Sequence, residues 1–243
     1  LDTSSFYSPG NEFSHNSDYN FAMSSNRPSP SGLSRFIKDP FCGLSHALGA
    51  VLSIVALIVM LVITQGGAVR VVALTIYGVS MIVLYTASTL AHSLHCPADL
   101  EERLNRFDYV AIFGVIAGTY TPLCLMVLRG GWGWSLLIIE WSLAIIGATA
   151  ILRSKSLKGW PLLLYIPMGW LMVIAIGPLL RVMPLDAIIY LAAGGLLYTI
   201  GAFVFLTGRP KLFPGIFGSH DLWHVMVLLG SMFHFLMVMR TAV

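Results

Sequence analysis

The segment SHDLWHVMVLLGSMFHF, residues 219–235, is apolar enough to lie in lipid, yet it carries three histidines and an aspartate. His220 and His224 form an HxxxH pair. On a helix, four residues rise about 6 Å and turn by about 40°, so both imidazoles project from one face, as a shared metal ion requires. Such a pair at a helix end is also open to interfacial packing or plain hydrogen bonding, so it needs further donors. STLAHSLHC supplies His92, with Ser88 four residues earlier on the same face, and RFDYVAIFG supplies Asp108. Three neutral imidazoles with a fourth, solvent-filled position are the pattern of a catalytic zinc site, where bound water reaches a pKa near neutrality. Asp108 has two readings: a helix-dipole partner near Arg106 in the first turn of its helix, or a carboxylate that orients or deprotonates the water of such a site. Ser88 is either a packing serine or a hydroxyl beside the site.

Whether these residues can meet depends on the elements that carry them. The chain is 57% hydrophobic and 10% charged, with a mean hydropathy of +0.82, far from the composition of a soluble domain. Its apolar residues fall into seven blocks, at 41–64, 71–95, 107–128, 132–152, 161–183, 186–207 and 219–240. Blocks of about 20 residues match helices that cross a hydrocarbon core, and no alternating pattern points to a β-barrel. The expected fold is an all-α bundle of seven transmembrane helices over residues 37–243. Residues 1–36, rich in Ser, Asn and Pro, read as a disordered tail without the apolar run of a signal peptide. The connecting segments are short, and no tandem repeat is visible.

Charge sets the expected orientation. Arg27, Arg35, Lys38, Arg103, Arg106, Arg153, Lys155, Lys158, Arg209 and Lys211 fall on the side of the N-terminus, against Arg70, Arg129, Arg181 and Arg240 on the other. The positive-inside rule then places the N-terminus in the cytoplasm and the C-terminus outside, in a multi-pass protein of the plasma membrane. This orientation opposes that of G-protein-coupled receptors. A retinal protein is excluded because no lysine lies within the last span. No basic cluster suggests nucleic-acid binding. With this topology, span two ends, and spans three and seven begin, on the cytoplasmic side, so His92, Asp108, His220 and His224 share one depth in the inner leaflet.

The other polar residues test that convergence. His95 and Cys96 are possible substitute ligands on span two, but lie nearer the aqueous interface. His46, opening span one at the same depth, reads as a packing or supporting group. His234, 14 residues beyond His220 and so about 21 Å along the axis, cannot share its metal and is expected to hydrogen-bond inside the bundle. Asp221 belongs to the helix start, after Ser219 as N-cap. Glu140, near the middle of span four, is expected in a structural hydrogen bond, with proton handling as the alternative. Cys42, Cys96 and Cys124 are too few and too irregular for a disulfide framework and read as free thiols.

The combination of STLAHSL, FDYVAIFGVIAGTYTP and HDLWHVMVLLGSMFHF, with DPFCGLSHALGA opening span one, resembles the haemolysin III family, the bacterial branch of the progestin and adipoQ receptor group, over roughly residues 38–240. The resemblance implies seven helices with the N-terminus inside and a zinc ion held by His92, His220 and His224. Asp108 would hold the zinc-bound water, with Ser88 as the nearby hydroxyl. The family's aspartate is often followed by His, where Tyr109 stands here. The wider superfamily includes alkaline ceramidases, which implies amide or ester hydrolysis in a membrane lipid. A receptor-like or regulatory protein with structural zinc, and a cytolysin, are the competing expectations.

Overall fold

The computed structural model describes residues 32–65, 67–154, 163–210, 212–213 and 217–242. Seven helices are long and apolar enough to cross a membrane, and no strand occurs among the described residues beyond an isolated bridge between Phe213 and Phe217. Most of the expected tail, residues 1–31, lies outside the described residues, as do Lys155, Lys158 and Lys211. Gly32–Arg35 form a single 3-10 turn, and the described residues from Phe36 onward form one packed unit.

Helix α1 (Pro40–Ile63) opens on a proline, which costs nothing at a position whose N–H has no intrahelical acceptor. Its buried residues include Cys42, His46, Gly49, Ser53 and Met60, one stripe at helical spacing, whereas Leu48, Val51, Leu52, Val55, Ile58 and Val62 are exposed. In water this pattern would be inverted. In lipid, acyl chains solvate the apolar face while small and polar residues pack inward.

Helix α2 (Ala68–Ser93) has 26 residues, about 39 Å of rise, enough to cross a core of about 30 Å. Because it ends at Ser93, His95 and Cys96 lie beyond it in the connecting segment. Helix α3 (Ala98–Pro122) begins well before the apolar run at 107. Its charged start is helical because Asp99 and Glu101 occupy the first turn, where the dipole favours them, and Glu102 pairs with Arg106 one turn on. Asp108 is therefore in the third turn, not the first, and the dipole role, one of its two readings, falls to Asp99 and Glu101.

Pro122 has no N–H to give the helix, and the chain continues as a π-helical turn, Leu123–Leu128. Arg129 and Gly130, both at positive φ, reverse the chain into α4 (Gly130–Arg153). Gly133 permits the close start of α4, since a Cβ there would overlap the Cys124 carbonyl.

The fifth span is broken, where its apolar run reads as continuous. It consists of α5 (Tyr165–Trp170), a 3-10 turn (Leu171–Ala175) and α6 (Ile176–Val182). Backbone groups freed by a break inside a membrane need partners, and Tyr120 of α3 supplies them. Its hydroxyl lies 2.8 Å from the Met168 carbonyl and 3.1 Å from that of Gly169, the acceptors for its proton, and it accepts the Met172 N–H at 2.8 Å. Helix α7 (Leu185–Thr207) stops at Gly208, whose φ of 64° suits only glycine well, and α8 (Ser219–Ala242) completes the bundle.

Helices α1 and α2, α2 and α3, α3 and α4, and α7 and α8 pack side by side, and α1 closes against α8. The broken span packs loosely. Beside it lies a cavity of about 480 Å³ with apolar walls from α2, α3, α7, α8 and the fifth span.

Candidate metal centre

At one end of this cavity, Cys42, His92, His220 and His224 each bring one donor atom to within 4.8 Å of the others. The HxxxH spacing on α8 acts as the helix geometry requires: the two Nε2 atoms are 3.0 Å apart. The His92 ring, from the last turn of α2, meets them at centroid distances of 5.0 Å from His220 and 4.8 Å from His224. His92, His224 and Cys42 are buried, and His220 is the exposed member.

Backbone pairing sets the position of His92. The segment before α1 runs against the end of α2, where the Asp39 N–H donates to the His92 carbonyl at 2.8 Å and the Lys38 N–H to the Ser93 carbonyl at 3.2 Å. These bonds satisfy carbonyls that a helix end leaves unpaired. They also bring the Asp39 carboxylate to His92 Nδ1, 3.1 Å away. With Nδ1–H donated there, the Nε2 lone pair is left for the cluster. Burial pushes the Asp39 carboxyl up, but the hydrogen bond from His92 and the nearby Lys38 charge outweigh burial and hold it below the ordinary carboxylate range.

Asp108 Oδ2 lies 3.9 Å from His92 Nε2, on the cavity side, and Ser88 is its hydrogen-bonding neighbour. Both residues line the cavity, as do His92, His220 and His224. The structure thus brings together all five residues singled out in the sequence. It adds two that were not: Cys42, read only as a free thiol, and Asp39. The signal was present, since Cys42 lies four residues before His46 on a span that opens at the same depth.

The remaining expectations divide. His46 is buried with its ring centroid 4.0 Å from that of His224, and neither of its nitrogens has a hydrogen-bond partner among the described residues. His95 is exposed and Cys96 half-buried, both outside the donor group. Gly218, not Ser219, precedes the first turn of α8, and Asp221 caps that turn by accepting the Gly218 N–H at 2.7 Å. The other Asp221 oxygen accepts the Cys42 thiol at 3.2 Å. His234 Nε2 lies 3.3 Å from the Leu191 carbonyl, an intra-bundle hydrogen bond as expected. Glu140 is fully buried, but the structural hydrogen bond expected of it is absent: neither oxygen has a partner among the described residues.

Comparison with known proteins bears on the same region. The sequence profile of the family described as Haemolysin-III related matches residues 34–235. "Hemolysin-3" of Bacillus cereus is 41% identical over 211 residues, covering 85% of this chain and 93% of that protein. "Hemolysin-3 homolog" of Bacillus subtilis (strain 168) is 37% identical over 193 residues, covering 77% of this chain and 86% of that protein. With its seven spans and this match over most of its length, the chain is a multi-pass membrane protein that belongs to the haemolysin-III related family.

Proposed function

We propose that the chain is a zinc-dependent hydrolase of an amide or ester bond in a membrane lipid. The observation that carries this reading is the meeting of three imidazoles and a carboxylate at one end of an apolar cavity of about 480 Å³, a volume within the range of small-molecule sites. The donor set fits zinc, since imidazole nitrogen and thiol sulfur are its preferred protein ligands. The 3.0 Å between the two Nε2 atoms of α8 is close to the roughly 3.3 Å edge of a tetrahedral zinc–imidazole site.

His92, His220 and His224 would hold the ion, which would supply Lewis acidity and an activated water. Asp39 fixes the His92 ring so that Nε2 points at the cluster. Asp108, 3.9 Å from His92 Nε2, would take the proton of the attacking water and return it to the leaving group, with the Ser88 hydroxyl orienting its carboxylate. The apolar walls, from Ile112 and Ile116 to Leu191, accept an acyl chain and exclude water around the scissile bond. Lysine and arginine placement supports a cytoplasmic N-terminus and a site in the inner leaflet of the plasma membrane.

Purified protein incubated with a mixed lipid extract is expected to release fatty acid, and Asp108→Ala to stop the release while zinc content is kept. Release unchanged in that variant refutes the mechanism. A regulatory membrane protein with structural zinc is the second reading, favoured by the presence of Cys42 among the donors. The names of the Bacillus relatives add haemolysis as an activity to assay.

A further inference from the structure

We infer that Cys42 is the fourth arm of this centre, binding the metal through sulfur at the position that water takes during hydrolysis. This rests on the metal site of the preceding reading and concerns how that site is controlled.

Three observations converge. Cys42 Sγ lies with the three imidazole donors inside one group spanning at most 4.8 Å. A tetrahedral zinc needs its sulfur about 3.6 Å from each nitrogen, so the widest separation in the group exceeds that spacing by about 1.2 Å. The thiol is 3% exposed, so it faces no bulk solvent. It also has a partner outside the group: the thiol donates to Asp221 Oδ1, 3.2 Å away.

Asp221 lies outside the donor group and is held at the start of α8 by the Gly218 N–H on its other oxygen. On coordination the S–H bond breaks and a sulfur–metal bond forms. The thiol proton would leave to water. With its thiol turned to Asp221 Oδ1, as in the structure, Cys42 leaves the fourth position open toward the cavity. Cys42 thus has two alternative partners, the metal and Asp221. A closed four-donor centre and an open three-histidine one are the two positions of a single side chain.

The two states also differ in what reaches them. The closed state is inert toward water, as tetrahedral structural zinc sites are, whereas the open state has the vacancy that catalytic sites keep. This makes hydrolysis sensitive to the thiol's state even though sulfur takes no part in the bond-breaking.

The test is metal ligation in the full chain, read by X-ray absorption of the zinc-loaded protein and by near-ultraviolet charge transfer after cobalt substitution. Expected are about one metal per chain and one sulfur neighbour at about 2.3 Å beside nitrogen at about 2.0–2.1 Å, with the thiolate-to-cobalt band lost in Cys42→Ala while the metal stays bound. Cys96→Ala and Cys124→Ala should keep both signals. A wild-type shell of nitrogen and oxygen alone, or a sulfur signal that survives Cys42→Ala, overturns the role of Cys42 and leaves the three-histidine site standing. Failure of the wild-type chain to bind zinc overturns the site itself, and Cys42 with it. Both spectroscopic readings on unaltered protein remain decisive even if a variant fails to fold.

Discussion

Asp39→Ala separates the orientation of a ligand from the ligand itself. Asp39 touches no metal position; its carboxylate holds His92 Nδ1 at 3.1 Å. The substitution should spare the start of α1, because the Asp39 side chain makes no capping bond there and its carbonyl still accepts the Gly43 N–H. What is lost is one charge-assisted hydrogen bond that fixes ring orientation and tautomer. Such supporting partners are worth about 10–100-fold in metal affinity. The Asp39 side chain is 43% exposed, so water partly replaces it and the lower end applies, about tenfold or about 1.4 kcal/mol. The assay is competition for zinc against a chromophoric chelator at fixed salt. Asp39→Asn, which keeps an oxygen acceptor, should fall between wild type and Asp39→Ala. His234→Ala, removed from His220 by about 21 Å of helix, should match wild type. Binding by Asp39→Ala within about twofold of wild type would show that the carboxylate does not position His92, and would refute the reasoning from second partners.

His220→Ala combined with His224→Ala should abolish zinc binding in equilibrium dialysis; normal zinc content in that variant would remove the site. Tyr120→Phe should lower stability by about 2–4 kcal/mol, because three backbone groups of the broken fifth span lose their partner. Unfolding in detergent measures this, and a loss below about 0.5 kcal/mol would mean that water or neighbours serve those groups instead. Gly133→Ala should cost about 1–3 kcal/mol by forcing α4 off the Cys124 carbonyl, whereas Gly131→Ala, with open space around it, should be silent in the same assay.

The spans and the histidine pair were legible because each depends on local pattern. Twenty apolar residues specify a membrane helix, and i, i+4 spacing places His220 and His224 on one face whatever surrounds them. The depth argument brought in His92 and Asp108, since in a bundle of short loops the end of one span neighbours the start of the next. Asp108 was misplaced within its helix because a charged, amphipathic start is invisible to an apolar-run criterion, and the capping of α8 by Asp221 was masked by the usual preference for serine at that position. The break in the fifth span was not read because Pro and Gly in a membrane helix are tolerated whenever a neighbour satisfies the freed backbone groups. That neighbour, Tyr120, is about 50 residues away.

The sequence by itself determined the bilayer as solvent, the number of crossings and three of the imidazoles, because hydropathy and helical period act over a few turns of one segment. Only the tertiary structure decided that α1 closes against α8, and with it that Asp39 orients His92 and that Cys42 stands among the donors. Those contacts join residues 53 and more positions apart. They depend on which helix faces which around the ring, a choice made by packing rather than by any local preference of the chain.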